Sequence, residues 1–349
     1  MTSISIDIID PIESPDWLPF IARHEIATIF HHPAWLRVLR DNYNMRAFAL
    51  AWKRGGKEIV GAIPFCEVRT FAGRKRWVSL PFSDHCEVLS TSLKEIDDAL
   101  AGLIKMSQAE NVNEIEMRSS GVPTIAEFTT ISDSVLHCIK LIENTKSIFE
   151  SFKKTQVQQP IAKAIRDGLV AEVADSWSAV EEFYRLHLMT RRKLGVPIQP
   201  KGFFKSLHAE LVSKGLGYIV LVRRGKKCIG GGLFCGFGPT LTYKFGASDE
   251  SELVHRPNNL VIWTAMQEAI RRGFRKFDFG KTEIAHEGLR KFKSGWGTIE
   301  SPLYYSYYPA APHGKLMKNI RERIVAPVIR HSPEFVCRLT GELLYKYFA

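Results

Sequence analysis

Residues 241–298 concentrate side chains able to move protons and to stabilise negative charge. Tyr243, in a strand-like run, offers a hydroxyl donor; the competing role is packing within a sheet. Asp278 lies between Phe277 and Phe279 and alternates out of an apolar strand. It reads as a proton acceptor in a cleft or as a carboxylate anchoring the following loop. Lys293 stands in a Gly-rich turn between aromatic residues, where an ammonium can face a developing oxyanion; the other reading is a solvated lysine beside Arg290 and Lys291. Glu283 follows on the loop after Asp278, and His255 and His286 are of a type that titrates near neutrality. Arg256, Asn258, Asn259 and Trp263 open a helix whose N-terminus can attract a phosphate.

Several chemistries have no motif to carry them. The sequence has no GxxxxGK[ST] loop, no GxGxxG after a strand, no HExxH and no GxSxG. His31 and His32 are adjacent and point apart in regular structure, so no metal site is expected. Gly230, Gly231 and Gly232 fall inside a strand, where small residues mark a bulge or a close backbone approach.

The elements that must position these residues follow from periodicity. Residues 3–9 read as an edge strand, and Pro33 opens an aromatic-bearing helix. Strands are expected at residues 47–52, 58–68 and 75–80, separated by Gly-containing turns. Ser92 reads as the N-cap of an amphipathic helix, followed by strands at residues 113–117 and 135–141 that close a first unit. A polar, basic connector at residues 146–168 is interrupted by Pro160 and ends at Gly168. The same plan then recurs: strand 169–173, helices from Ser176 to about Leu194 and from Pro200 to Lys214, strands 218–223, 227–237 and 240–247, a helix opened by Pro257, and strands 275–279 and 302–308. The expected organisation is α/β with mixed sheets: units at 1–145 and 169–310, joined by the connector and followed by a helical tail at 311–349.

Composition narrows the setting. The chain has 349 residues, 45% of them hydrophobic and 24% charged, which suits two folded units and excludes wholesale disorder. No run approaches the roughly 18 apolar residues of a membrane span. The N-terminal MTSISIDIIDPIESPDW has no basic region before an apolar core and is not read as a signal peptide. Cys66, Cys86, Cys138, Cys228, Cys235 and Cys337 are scattered and read as reduced thiols, so a cytoplasmic setting is expected. Charge divides the chain: residues 1–150 hold 16 Lys+Arg and 20 Asp+Glu, residues 151–349 hold 32 and 17. A basic second half fits an anionic partner such as nucleic acid, a phosphorylated substrate or a membrane surface; plain solubility is the alternative. In the tail, Leu316, Ile320, Ile324 and Val325 set against Lys315, Lys318, Arg321 and Arg323 fit either docking on the body or contact with anionic lipid.

Four segments resemble the second domain of the Fem-type peptidoglycan-bridge aminoacyltransferases and related acyltransferases of the GNAT superfamily. They are Tyr243-Lys244-Phe245-Gly246-Ala247-Ser248, the helix start Pro257-Asn258-Asn259 with Trp263, Phe277-Asp278-Phe279-Gly280, and Gly288-Leu289-Arg290-Lys291-Phe292-Lys293-Ser294-Gly295-Trp296. Phe30-His31-His32-Pro33-Ala34-Trp35 and Ser79-Leu80-Pro81-Phe82-Ser83 are similar to the first domain, more loosely. The resemblance implies two tandem GNAT-like domains and transfer of an acyl or aminoacyl group to an amine of a cell-envelope or exopolysaccharide precursor. It implies direct transfer through a tetrahedral intermediate, with Lys293 and Tyr243 facing the oxyanion and Asp278 or a histidine taking the proton. The donor would be a co-substrate: aminoacyl-tRNA, acyl-CoA or an acyl-carrier protein. Two departures bear on it. Residues 253–260 lack the glycines with which GNAT domains cradle the CoA pyrophosphate. Between Trp177 and Gly217 nothing is long enough for the coiled-coil insertion common among Fem-type tRNA users. The contrasting expectation is a degenerate GNAT scaffold that binds an anionic polymer, tRNA or the inner membrane face without catalysis.

Overall fold

The computed structural model describes residues 4–90, 92–309 and 326–348. Twelve strands form one sheet in the order β1-β2-β3-β4-β5-β12-β6-β11-β10-β9-β8-β7. The first half supplies β1 (Ile4–Ile9), β2 (Arg46–Arg54), β3 (Glu58–Arg69), β4 (Lys75–Ser79), β5 (Glu114–Ser119) and β6 (Thr129–Lys140). The second supplies β7 (Leu169–Ala174), β8 (Gly217–Arg224), β9 (Lys227–Phe237), β10 (Thr240–Ser248), β11 (Lys276–Glu283) and β12 (Ile299–Tyr308). Each half is an antiparallel meander whose fourth strand then pairs in parallel with its fifth.

The sixth strands are exchanged. β6 pairs with β11 and β12, and β12 pairs with β5 and β6, so each half completes the sheet of the other. Strands 113–117 and 135–141 therefore do not close one unit together, as the sequence suggested. Consecutive strands are neighbours in most sheets, and here that tendency is overridden by an internal two-fold repeat.

The helices cover both faces. α1 (Trp17–Ala22) caps the β2/β3 surface; α2 (Pro33–Tyr43), α6 (Trp177–Leu194) and α7 (Lys201–Leu207) share one core containing Trp35, Phe183, Phe203 and Phe204. α3 (Leu93–Ala109) and α8 (Pro257–Arg271) lie over separate cores, one in each half. Ser92 does cap α3, accepting from the Glu95 amide at 3.3 Å. The glycine triad of β9 does admit a close approach. A Cβ on Gly230 would lie 2.8 Å from Pro257, and one on Gly232 would lie 3.0 Å from Val261, so α8 packs directly onto the strand backbone.

The connector is not one helix. α4 (Thr145–Ser151) stops at Phe152, which is extended, and a π turn at Lys154–Gln158 leads into α5 (Gln159–Arg166). The Pro200 helix likewise ends at Leu207 and continues as a π turn. In the tail, α10 (Ala326–His331) and α11 (Glu334–Leu344) are separated at Ser332-Pro333. The expected face of Leu316, Ile320, Ile324 and Val325 with its four cations lies outside the described residues. All six cysteines are free thiols.

Candidate active site

β10 and β11 are paired only over Thr240–Thr242 and Lys276–Asp278. β11 then shifts register against β6 between Asp278 and Lys281, turning at Gly280 with φ +71°. Against these two strands packs the segment 80–87, which follows β4 of the first half. Asp84 Oδ2 accepts from the Lys281 amide at 3.1 Å and occupies the space where a Cβ on Gly280 would lie. Only glycine satisfies both the backbone angle and this approach. On the other side, Lys244 Nζ of β10 donates to the Phe82 carbonyl at 2.6 Å.

The next residue locks the segment in place. His85 Nε2 lies 3.0 Å from Asp278 Oδ2, and its Nδ1 lies 3.1 Å from Glu87 Oε1. Burial alone would lower the pKa of this imidazole. The bonds and charges of the two carboxylates reverse that and push it up to about 10, so His85 is an imidazolium held between two anions. Both carboxylates are correspondingly lowered against the opposing effect of burial. Glu87 also accepts from the amide and hydroxyl of Ser120. Asp278 Oδ1 accepts from the Gly280 amide at 2.7 Å.

Lys293 enters from α9 (Glu287–Ser294). The sequence placed it in a turn; it lies instead in the last turn of a helix, where cations complement the dipole. It is not solvated but 6% exposed, and Nζ donates to the carbonyls of Gly280 at 2.9 Å and Lys281 at 3.1 Å. Desolvation lowers its pKa to about 8, against the attraction of Asp84 and Asp278. Tyr305 of β12 donates to the Asp84 carbonyl at 3.0 Å and accepts from Lys281 Nζ at 3.3 Å. Lys244 lies 5.2–5.3 Å from the ring centroids of Phe30, Trp35 and Phe245. Strands from both halves thus converge on one cluster of carboxylates and cations.

Lys293 and Asp278 are brought together, but Asp278 is not placed as a proton acceptor. It is 1% exposed, with one oxygen held by His85 and the other by a backbone amide, so it has the anchoring role. Tyr243 stacks on Phe234 with centroids 4.9 Å apart, its hydroxyl lies over Gly246, and it shares no hydrogen bond with Lys293 or Asp278. Burial raises the pKa of that hydroxyl. Trp263 is a core residue against Phe149 and Phe152. His255 pairs with Asp167 of the connector at 2.5 Å rather than facing a cleft. His286 is exposed at the start of α9, and Glu283 ends β11.

Arg256, Asn258 and Asn259 do line a common space, a cleft of about 420 Å³ shared with Thr155, Gln156, Gly288 and Lys291. Asn259 is nevertheless committed to the Gln156 carbonyl at 3.3 Å. Arg256 adopts φ +60° directly before Pro257. Among the described residues no group of His, Cys, Asp or Glu is placed to hold a metal ion.

Sequence reasoning missed Asp84, His85, Glu87, Lys244, Lys281 and Tyr305. A signal existed: all four residues 84–87 are titratable, directly after the Ser79–Ser83 stretch singled out for its similarity. The β11 partners of Asp84 and His85 lie almost 200 positions away, which no local pattern reveals.

Residues 151–294 match the family model described as an acetyltransferase (GNAT) domain. No curated protein matches the sequence. The structure is similar to that of FemX, with a TM-score of 0.69 at 15% identity, covering 91% of this chain and 100% of that one. It is also similar to a tandem GNAT protein from the clavulanic acid biosynthesis pathway, with a TM-score of 0.55 at 8% identity, covering 89% and 100%. A third likeness is to L-PGS from Bacillus licheniformis, with a TM-score of 0.52 at 9% identity, covering 76% and 86%. Residues 151–294 thus match a GNAT domain, and the fold of the whole chain is that shared by FemX and the tandem GNAT protein.

Proposed function

We propose that this protein transfers an acyl or aminoacyl group to an amine of a cell-envelope or exopolysaccharide precursor, at the cluster around Lys293. The observation that carries this reading is the buried ammonium of Lys293 beside the Asp84 carboxylate, where β11 parts from β10. An ammonium has three N–H donors, and two are spent on the carbonyls of Gly280 and Lys281. The third is left for the oxygen of a tetrahedral intermediate. Below pH 8 the group is mostly protonated, as this role requires.

The neutral amine attacks the donor carbonyl, the new C–N bond forms, and the C–S or C–O bond to the carrier breaks as the intermediate collapses. The proton lost by the amine goes to Asp84, which takes the acceptor role first expected of Asp278. The leaving thiolate or ribose oxygen then takes that proton from Asp84, which returns to the carboxylate. Lys281 and Lys244 supply positive charge for a phosphate-bearing acceptor. The donor is a thioester of CoA or of a carrier protein, or an aminoacyl-tRNA. The strained Arg256-Pro257 turn, in place of a glycine cradle, favours a donor other than CoA. That same turn is the observation favouring a non-catalytic scaffold that binds tRNA or another anionic polymer.

The test is transfer by the full chain from a panel of CoA thioesters and aminoacyl-tRNAs to amine-bearing nucleotide- and lipid-linked sugars. Turnover that disappears in Lys293→Met and Asp84→Asn supports the assignment. Turnover surviving both substitutions refutes it. If wild type consumes no donor yet binds tRNA with a steep salt dependence, the scaffold reading holds.

A further inference from the structure

α11 leaves an apolar stripe uncovered. Its Cys337 and Gly341 face the body, Gly341 so closely that a Cβ would overlap the Ile198 carbonyl. On another face, Phe335, Leu339 and Leu343 recur every fourth residue and are 60%, 54% and 59% exposed. Single exposed apolar residues are ordinary on a soluble protein, but three in register on one short terminal helix form a surface.

Beside that stripe lies a groove lined by Tyr184, Lys201, Phe335, Arg338, Leu339 and Glu342. Its rim is more basic than acidic: Arg338 and Lys201 with the neighbouring Arg185 and Lys205, against Glu181 and Glu342. Lys201 is paired with Glu181, whereas Arg185, Lys205 and Arg338 enter no salt bridge among the described residues. An apolar strip flanked by cations is complementary to the headgroup and acyl boundary of an anionic bilayer. Among the described residues no helix is long and apolar enough to cross a membrane, so such contact is peripheral.

We infer that the Phe335–Leu339–Leu343 face of α11, with its basic rim, seats this protein on an anionic lipid surface. Two weak signals acting together, a small apolar face and a cluster of cations, give reversible attachment dependent on lipid charge and on salt. The inference stands apart from the acyl-transfer reading, because lipid contact is measured without any donor or acceptor.

The experiment is co-sedimentation of the full chain with phosphatidylglycerol-containing vesicles and with pure phosphatidylcholine vesicles. The wild type and Phe335→Ser/Leu339→Ser/Leu343→Ser are compared at low and high salt, with light scattering to give the mass of each. The expected result is binding to the anionic vesicles alone, weakened by salt and reduced at least roughly tenfold in the triple variant. The three side chains are exposed, so the variant retains its fold, and an unchanged circular dichroism melt confirms it. Absence of binding to anionic vesicles overturns the inference, as does equal binding by the triple variant, which would leave the basic segment 311–325 responsible. A wild-type dimer that the triple variant dissolves also overturns it, because a second copy would then be the occupant.

Discussion

Replacing His85 by leucine removes the imidazolium between Asp278 and Glu87 at nearly constant volume. Asp278 then remains as a buried anion without its hydrogen-bonded counter-ion, in a site 1% exposed. Breaking a buried pair in this way costs about 3–5 kcal/mol. A second route gives a similar ceiling. The imidazole moves from 6.5 to about 10, which at ~1.36 kcal/mol per pH unit is at most ~5 kcal/mol. With an unfolding entropy of about 2.1 cal/mol/K per residue, the 349 residues give ~0.7 kcal/mol/K, so the melting temperature should fall by ~4–7 °C at pH 7.

The pH dependence has a definite sign. The folded-state pKa is raised above the unfolded one, so the contribution is fully present below about pH 6.5 and is lost as pH rises through about 10. The gap in melting temperature between wild type and His85→Leu should therefore be widest near neutrality or below and should narrow toward pH 10. Asp278→Asn in the His85→Leu background should recover part of the loss, because it removes the stranded charge. Thermal melts by circular dichroism across this pH range decide the matter. A single variant melting within ~1 °C of wild type at pH 7, or a gap that widens with pH, would refute the reasoning.

Three further outcomes follow from the same geometry. Lys293→Met should lower kcat/KM by ~10²–10³, the usual loss for one oxyanion donor, and the wild-type rate should fall above pH 8 as the ammonium deprotonates, a fall that Lys293→Arg moves to higher pH in steady-state rates. Gly230→Val should destabilise by about 1–3 kcal/mol in urea unfolding, because its side chain meets Pro257 at the start of α8. Residues 1–150 expressed alone should give no cooperative melt, whereas co-expression with residues 151–349 should restore it, since β5 and β6 both lose partners when β11 and β12 are absent.

What could be read from the sequence was whatever a short window encodes. The strand Lys227–Phe237 fell between the two glycine-containing turns that bound it, Ser92 caps α3 ahead of its amphipathic run, and Pro257 opens α8. The glycine triad was legible as a close approach because three adjacent small residues in a strand have few other uses. α9 was missed because its eight residues span barely two turns and carry glycine within, leaving only Leu289 and Phe292 to mark its inner side. The first half of β6 was missed because Thr129–Ser134 are mostly polar and exposed there.

The site failed to show itself for a different reason. Lys293 was visible because it sits within a local motif, yet what gives it chemistry is non-local: carbonyls contributed by a bulged β11, and a carboxylate from the first half. Strand exchange makes that assembly possible. With β6 beside β11 and β12 beside β5, the two halves form a continuous sheet and share a core that contains both Trp35 and Phe203. The segment after β4 is then held against the parted strands of the other half, and Asp84 reaches Lys281 while its neighbour His85 binds Asp278. Residues 1–150 are acidic in balance and residues 151–349 basic, yet the pair buried at their seam takes its cation, His85, from the acidic half and its anion, Asp278, from the basic one. An ion pair across such a seam costs desolvation on both sides, so its retention is better explained by fixing the register of Asp84 beside Lys293 than by stability alone. On that view Glu87 and Asp278 are positioning residues, and their substitution should depress turnover more than it depresses the melting temperature.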